Sequence, residues 1–126
     1  MAELPAELEQ AVVDQAEARL AMSVQGYARY LTSAAVDSLR DSYSGVPPRV
    51  NRYDIAAVEQ AGHDFIVDVR YYSRDEPFIV RSRWSLKNDF WVVLHAARLW
   101  GENDKRPGFF SRMAGSILRR LASLRG

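Results

Sequence analysis

The chain has 126 residues, 48% hydrophobic and 26% charged, with no cysteine and a formal net charge of +1. That is about one domain's length, with enough apolar content for a core and no compositional sign of disorder. The missing cysteines exclude disulfides, thiolate zinc sites and a cysteine nucleophile. No apolar run approaches the roughly 20 residues of a membrane span, and the acidic opening MAELPAELEQ lacks the apolar core of a secretory signal, so a cytoplasmic protein is expected.

Charge is unevenly placed. Residues 1–48 carry seven acids and three bases, residues 49–104 nine acids and eight bases, and residues 105–126 six bases with no acid. A domain over 1–104 with a separate basic segment over 105–126 is therefore expected.

A first helix is expected from about Pro5, with Glu7 and Glu9 at its positive end. Leu8, Val12, Ala16, Leu20, Val24, Tyr27 and Leu31 recur at spacings of four and three and predict one continuous apolar stripe. Gly26 weakens that helix by about 1 kcal/mol and points to a bend or a close contact. Thr32 or Ser33 can cap a second, short helix burying Val36, Leu39 and Tyr43, which Ser44-Gly45-Val46-Pro47-Pro48 ends.

The period then changes to two. Phe65, Val67, Val69 and Tyr71 form one inward row; Phe78, Val80, Ser82, Trp84 and Leu86 form the next; Trp91, Val93, His95, Ala97 and Leu99 form the last. A two-residue turn at Asn88-Asp89 pairs Leu86 with Trp91, Trp84 with Val93 and Ser82 with His95. A four-residue loop over 73–76 pairs Tyr71 with Phe78, Val69 with Val80 and Phe65 with Trp84. A three-residue loop Gln60-Ala61-Gly62 pairs Ala57 with Phe65, Ile55 with Val67 and Tyr53 with Val69. All three hairpins place apolar rows on one face, and a one-residue slip inverts a whole row. The expected fold is α+β: a long and a short N-terminal helix on a curved four-stranded antiparallel sheet, with a C-terminal basic amphipathic helix.

Three stretches carry a resemblance: Tyr30-Leu31-Thr32-Ser33, then Val36-Asp37-Ser38-Leu39-Arg40-Asp41-Ser42-Tyr43, and the hairpin Trp84-Ser85-Leu86-Lys87-Asn88-Asp89-Phe90-Trp91-Val92-Val93. Over residues 5–100 the chain resembles the nuclear transport factor 2-like, or cystatin-like, superfamily. It departs from it in Ala34-Ala35 between the helices and in a final turn without glycine. The resemblance implies a cone-shaped sheet closed by helices, with a pocket between them. It also implies relatives that range from ketosteroid isomerases, polyketide cyclases and dehydratases to non-catalytic binding and dimerisation modules. Fold alone does not choose among these.

Two places attract function. On the inward side, His95 is a candidate general base, since an unperturbed imidazole titrates near about 6.5. Tyr30 and Tyr71 are candidate hydrogen-bond donors, and Tyr27, Tyr53, Val67, Ser82, Trp84, Trp91 and Val93 are expected to line the pocket. The bland alternative is that these are amphipathic core residues and that His95 is tied to Ser82. No inward carboxylate accompanies them. On the outward side, Phe90, Val92 and Leu94 beside Arg81 and Arg83 break the alternation of a wet sheet face and predict a homodimer interface, or a face covered by the chain's own tail.

The tail carries Phe110, Met113, Ile117, Leu121 and Leu124 at helical spacing, surrounded by Arg112, Arg119 and Arg120. It suits packing on the protein, or a protein partner or anionic membrane surface, with nucleic acid less favoured because no aromatics interleave its bases. No phosphate loop, nucleophile elbow or metal spacing occurs; the two histidines lie thirty-two residues apart, and no cofactor or metal is expected. A binding module, homodimeric through the outer face and open to a small hydrophobic ligand, is the favoured reading. The alternative is a ketosteroid-isomerase-like or polyketide-cyclase-like enzyme acting on a hydrophobic carbonyl compound through His95 and a pocket tyrosine.

Overall fold

A computed structural model describes residues 2–42, 49–74 and 76–99. Tyr43, the proline turn and the tail stripe from Phe110 to Leu124 lie outside these residues. Three helices, α1 (Ala6–Leu20), α2 (Val24–Ala28) and α3 (Ser33–Asp41), precede four strands, β1 (Arg52–Ala61), β2 (Asp64–Tyr72), β3 (Phe78–Lys87) and β4 (Phe90–Leu99). The strands form one antiparallel meander in chain order.

The single N-terminal stripe expected from the spacing is broken into two helices. α1 ends at Leu20, the backbone turns back through Met22 at φ 60°, and Ser23 caps a new helix by accepting from the Gly26 N–H at 3.0 Å. Val24 consequently leaves the stripe and is exposed. Gly26 permits the close return: a Cβ there would lie 2.9 Å from the Ala18 Cβ. Leu8, Val12 and Ala16 of α1 and Ala35 and Leu39 of α3 pack on the inner row of Val67, Val69, Val80, Trp84 and Val93 as one core.

The β2–β3 register is as expected, with Phe65 opposite Trp84, Val69 opposite Val80 and Tyr71 opposite Phe78. The β1–β2 register is not. Its turn is the two-residue Gly62-His63, with Gly62 at φ 67°, and a bulge lies between Ile55 and Ala57. Tyr53 therefore faces Tyr71, Ile55 faces Val69 and Ala57 faces Asp68. Since Tyr53 and Ile55 moved by two residues, they keep the inner face, whereas Ala57 changes sides.

The β3–β4 turn places Asn88 at φ 50° and Asp89 at φ 67°, a left-handed pair that suits a two-residue hairpin. Leu86 opposes Trp91 and Trp84 opposes Val93, as expected, but Arg83 opposes His95 and Ser82 opposes Ala96. The residue inserted between these pairs is Leu94.

The cause lies on the free edge of β4. The Val93 N–H donates to the Tyr30 carbonyl at 2.7 Å, and the Val93 carbonyl accepts from the Thr32 N–H at 3.1 Å and the Thr32 hydroxyl at 2.9 Å. Beyond the bulge, the Ser38 hydroxyl accepts from the Ala96 N–H at 3.1 Å and lies 2.8 Å from the Ala96 carbonyl, and the Ser42 hydroxyl accepts from the Arg98 N–H at 2.8 Å. Thr32 also caps α3 by accepting from the Ala35 N–H at 3.2 Å. The helix thus supplies through hydroxyls the partners that a fifth strand would supply through its backbone.

Two substitutions probe these features. Ser38→Ala removes the acceptor of the Ala96 N–H, and urea denaturation is expected to show a loss of about 1–3 kcal/mol. Asp89→Gly relieves a left-handed non-glycine residue in a hairpin turn that favours Asn-Gly, and the same measurement is expected to show a gain of about 1 kcal/mol.

Candidate functional site

On the inner face, the residues expected to line a pocket do share one side of the sheet. Val67, Ser82, Trp84 and Val93 are buried, while Tyr27, Tyr53 and Trp91 are half-buried around them. Val67, Trp84 and Val93 are packed within the same cluster as the α1 residues. Phe65 and Trp91 meet edge to face at 6.0 Å, and Tyr30 tilts against Trp84 at 5.6 Å.

Tyr71 lies six residues along β2 from Phe65, roughly 20 Å away, so Tyr30 and Tyr71 occupy opposite ends of the inner face. Tyr71 is buried against Phe78 at 5.7 Å. Two guanidinium groups flank that end, Arg98 at 5.0 Å and Arg19 at 6.0 Å from the Phe78 centroid, with Arg19 also 5.8 Å from Tyr27. Such cations over ring faces hold the helix end to the sheet. Arg98 reaches this side through the β4 bulge, which places it opposite Val80 on the inner row.

A carboxylate does approach the inner-face tyrosines, from a position that the strand rows do not reveal. Asp14 of α1 accepts from the Tyr30 hydroxyl at 3.3 Å. Partial burial, and then the Asp14 charge, raise the Tyr30 pKa against the opposing pull of Arg29. Burial followed by Glu17 and Asp14 raises Tyr53 in the same direction. Both α1 carboxylates are exposed, and the Tyr30 proton is directed at Asp14 rather than into a cavity. Only the helical fold-back at Met22 brings Tyr30 across to Asp14, so strand periodicity holds no trace of the pair.

His95 stands elsewhere. The Leu94 bulge turns its side chain outward, opposite Arg83, and separates it from every inner-face tyrosine by the thickness of the sheet. Burial pushes the imidazole below its ordinary pKa. The expected constellation of His95 with Tyr30 or Tyr71 is therefore not assembled, and the expected contact of His95 with Ser82 is replaced by one between Ser82 and Ala96 as strand neighbours. Among the described residues no group of three or more metal-ligating side chains comes together, and no helix is long and apolar enough to cross a membrane.

The outer face carries most of the polar order. Arg81 donates from Nε and Nη2 to the two oxygens of Asp68 at 2.7 and 2.8 Å. Arg83 places Nε and Nη2 on a single oxygen of Asp64 at 2.8 and 2.7 Å. Arg70 approaches Asp54 at 3.5 Å, and the Tyr72 hydroxyl donates to Asp54 at 2.7 Å. Each carboxylate comes from β1 or β2 and each guanidinium from β2 or β3, an outward cross-strand ladder of opposite charges. Arg83, expected on an exposed interface, is instead only 4% exposed, beside Ile66 at 2%. Its Nη1 is buried without a hydrogen bond.

Of the residues expected at an interface, Phe90 is 72% exposed and Val92 and Leu94 are half-buried. Farther across the same face, the β1 bulge opens a groove of about 450 Å³ between Ala56–Glu59 on one side and Ile66, Asp68 and Arg81 on the other. Bulges do this by lifting one residue out of the ladder. Strand alternation alone carries no sign of it, because Ala56 and Ala57 are equally small.

Neither a protein-family model nor a curated protein matches the sequence. Among solved structures, the chain is similar to an NTF-2 like protein of unknown function from Burkholderia xenovorans LB400 at 14% identity and a TM-score of 0.54, over 85% of this chain and 92% of that one. At that identity the likeness concerns the fold alone, and it agrees with the helix-then-meander architecture described above.

The position of His95 has a measurable consequence. With its pKa lowered in the folded chain, His95 stays neutral there while the unfolded chain takes up a proton, so stability is lost as pH falls below about 6.5. His95→Asn is expected to flatten that part of the curve, read as the difference in melting temperature between pH 7.5 and pH 5.5 for the two proteins.

Proposed function

We propose that this nuclear transport factor 2-like domain is a non-catalytic interaction module that pairs with a second copy through the outer face of β3 and β4. The supporting observation is the make-up of that face. Its arginines are already matched within the chain by the Asp68–Arg81 and Asp64–Arg83 pairs, and β4 adds the exposed Phe90 and the half-buried Val92 and Leu94, all apolar. A second surface can approach those arginines without stripping water from an unpaired guanidinium, which is the costly part of burying ionic groups. Charge-depleted patches with an aromatic anchor are the usual core of protein interfaces.

The burial of Trp84, Val67 and Val93 in the core beneath α1 supports the same reading, since a ligand pocket needs such positions open. The basic segment 105–126 is assigned a second contact role, packing on this protein or its dimer mate. A protomer this small can offer roughly 800 Å² to a partner, the size of a standard interface.

Sedimentation equilibrium of the full chain between 1 and 100 μM, on the order of the affinities such interfaces reach, tests the proposal. A concentration-dependent dimer is expected, weakened by Val92→Arg, a charge placed on the apolar strip. A monomer across the whole range overturns it.

A further inference from the structure

Building on the dimer just described, we propose that Phe90 of each copy is the anchor that enters the partner's β1-bulge groove, with Lys87 of one copy set against Glu59 of the other. Three observations lead there. Phe90 is the most exposed aromatic side chain among the described residues, 72% accessible at the tip of the β3–β4 hairpin and directed to the outer face, where it pairs with Lys87. An aromatic ring held in water by a tight turn is a costly arrangement unless something covers it.

On the same face lies the groove of about 450 Å³, ample for a phenyl ring. Its walls are the small side chains Ala56 and Ala57 and the apolar Ile66, while its floor ion pair, Asp68–Arg81, is already satisfied. The charge that remains exposed on its rim is Glu59. Beside Phe90 the exposed charge is Lys87, of opposite sign. Neither Glu59 nor Lys87 has an ion-pair partner among the described residues.

Symmetry makes the match count twice. Phe90 sits at one corner of the outer face, on β4 at the turn; the groove sits diagonally across, over β1 and β2. A two-fold axis lying between two stacked sheets exchanges those corners, so one geometry seats both anchors and both charge pairs, as an isologous interface requires.

The experiment is sedimentation equilibrium of the full chain and four variants, each checked by circular dichroism for an unchanged fold. Phe90→Ala is expected to raise the dimer dissociation constant at least tenfold. Glu59→Lys and Lys87→Glu are each expected to raise it several-fold at low salt, and the double variant carrying both reversals is expected to return it to within about threefold of the parent. If the parent chain dimerises but Phe90→Ala leaves it unchanged, or the double reversal gives no recovery, the seating is wrong while the dimer stands. If the parent chain is a monomer, the dimer itself is wrong.

Discussion

The hydroxyls of Thr32, Ser38 and Ser42 along the edge of β4 govern the rest of the structure. A sheet that ends in an open strand leaves a row of backbone donors and acceptors to aggregate or to solvate. Here α3 supplies their partners, and it does so only because Leu94 is inserted into the ladder. With that extra residue, Val93 and Ala96 both turn inward and meet the helix; without it, the strand beyond Val93 presents the opposite set of side chains. The same insertion sends Arg98 to the inner face and His95 to the outer one. One residue of irregularity therefore decides which chemistry belongs to the cone and which to the exterior.

Much of the fold was legible where period and turn chemistry agreed. Phe65 to Tyr71 and Phe78 to Leu86 alternate cleanly, and the Asn88-Asp89 turn fixes their phase relative to Trp91 and Val93. The two bulges were not legible, for a definite reason. Val92, Val93 and Leu94 are all apolar, so an extra residue among them leaves no break in the pattern, and Ala56-Ala57 is equally silent. The split of the first helix was hidden in the same way: Val24 continues the four-residue spacing of Leu20 although the backbone has already reversed at Met22. Gly26 carried the true signal, a close helix contact, and one of the two meanings that its spacing allows.

The candidate site shows the same limits. Trp84, Val67 and Val93 were recognisable as inward residues because burial follows alternation directly. Their packing into one cluster with α1 was not, since that depends on how closely α1 approaches. The carboxylate at Tyr30 belongs to a helix that sequence spacing assigned to the core alone, and the outer ladder of Asp54, Asp64 and Asp68 with three arginines becomes visible only once strand neighbours are known. Cross-strand pairing, rather than any local motif, is what organises charge in this protein.

The edge contacts also set the order in which the chain can mature. Each hairpin of the meander joins strands adjacent in sequence, whereas the bonds from Thr32, Ser38 and Ser42 to β4 span 61, 58 and 56 residues. Closing loops of that length is entropically slow, and β4 is the last of these four strands to leave the ribosome. During synthesis α3 must hold its hydroxyls without their final partners while β1 to β3 pair, and β3 remains an open edge until β4 arrives. The serines that complete the native sheet are thus the slowest part of it to find their place.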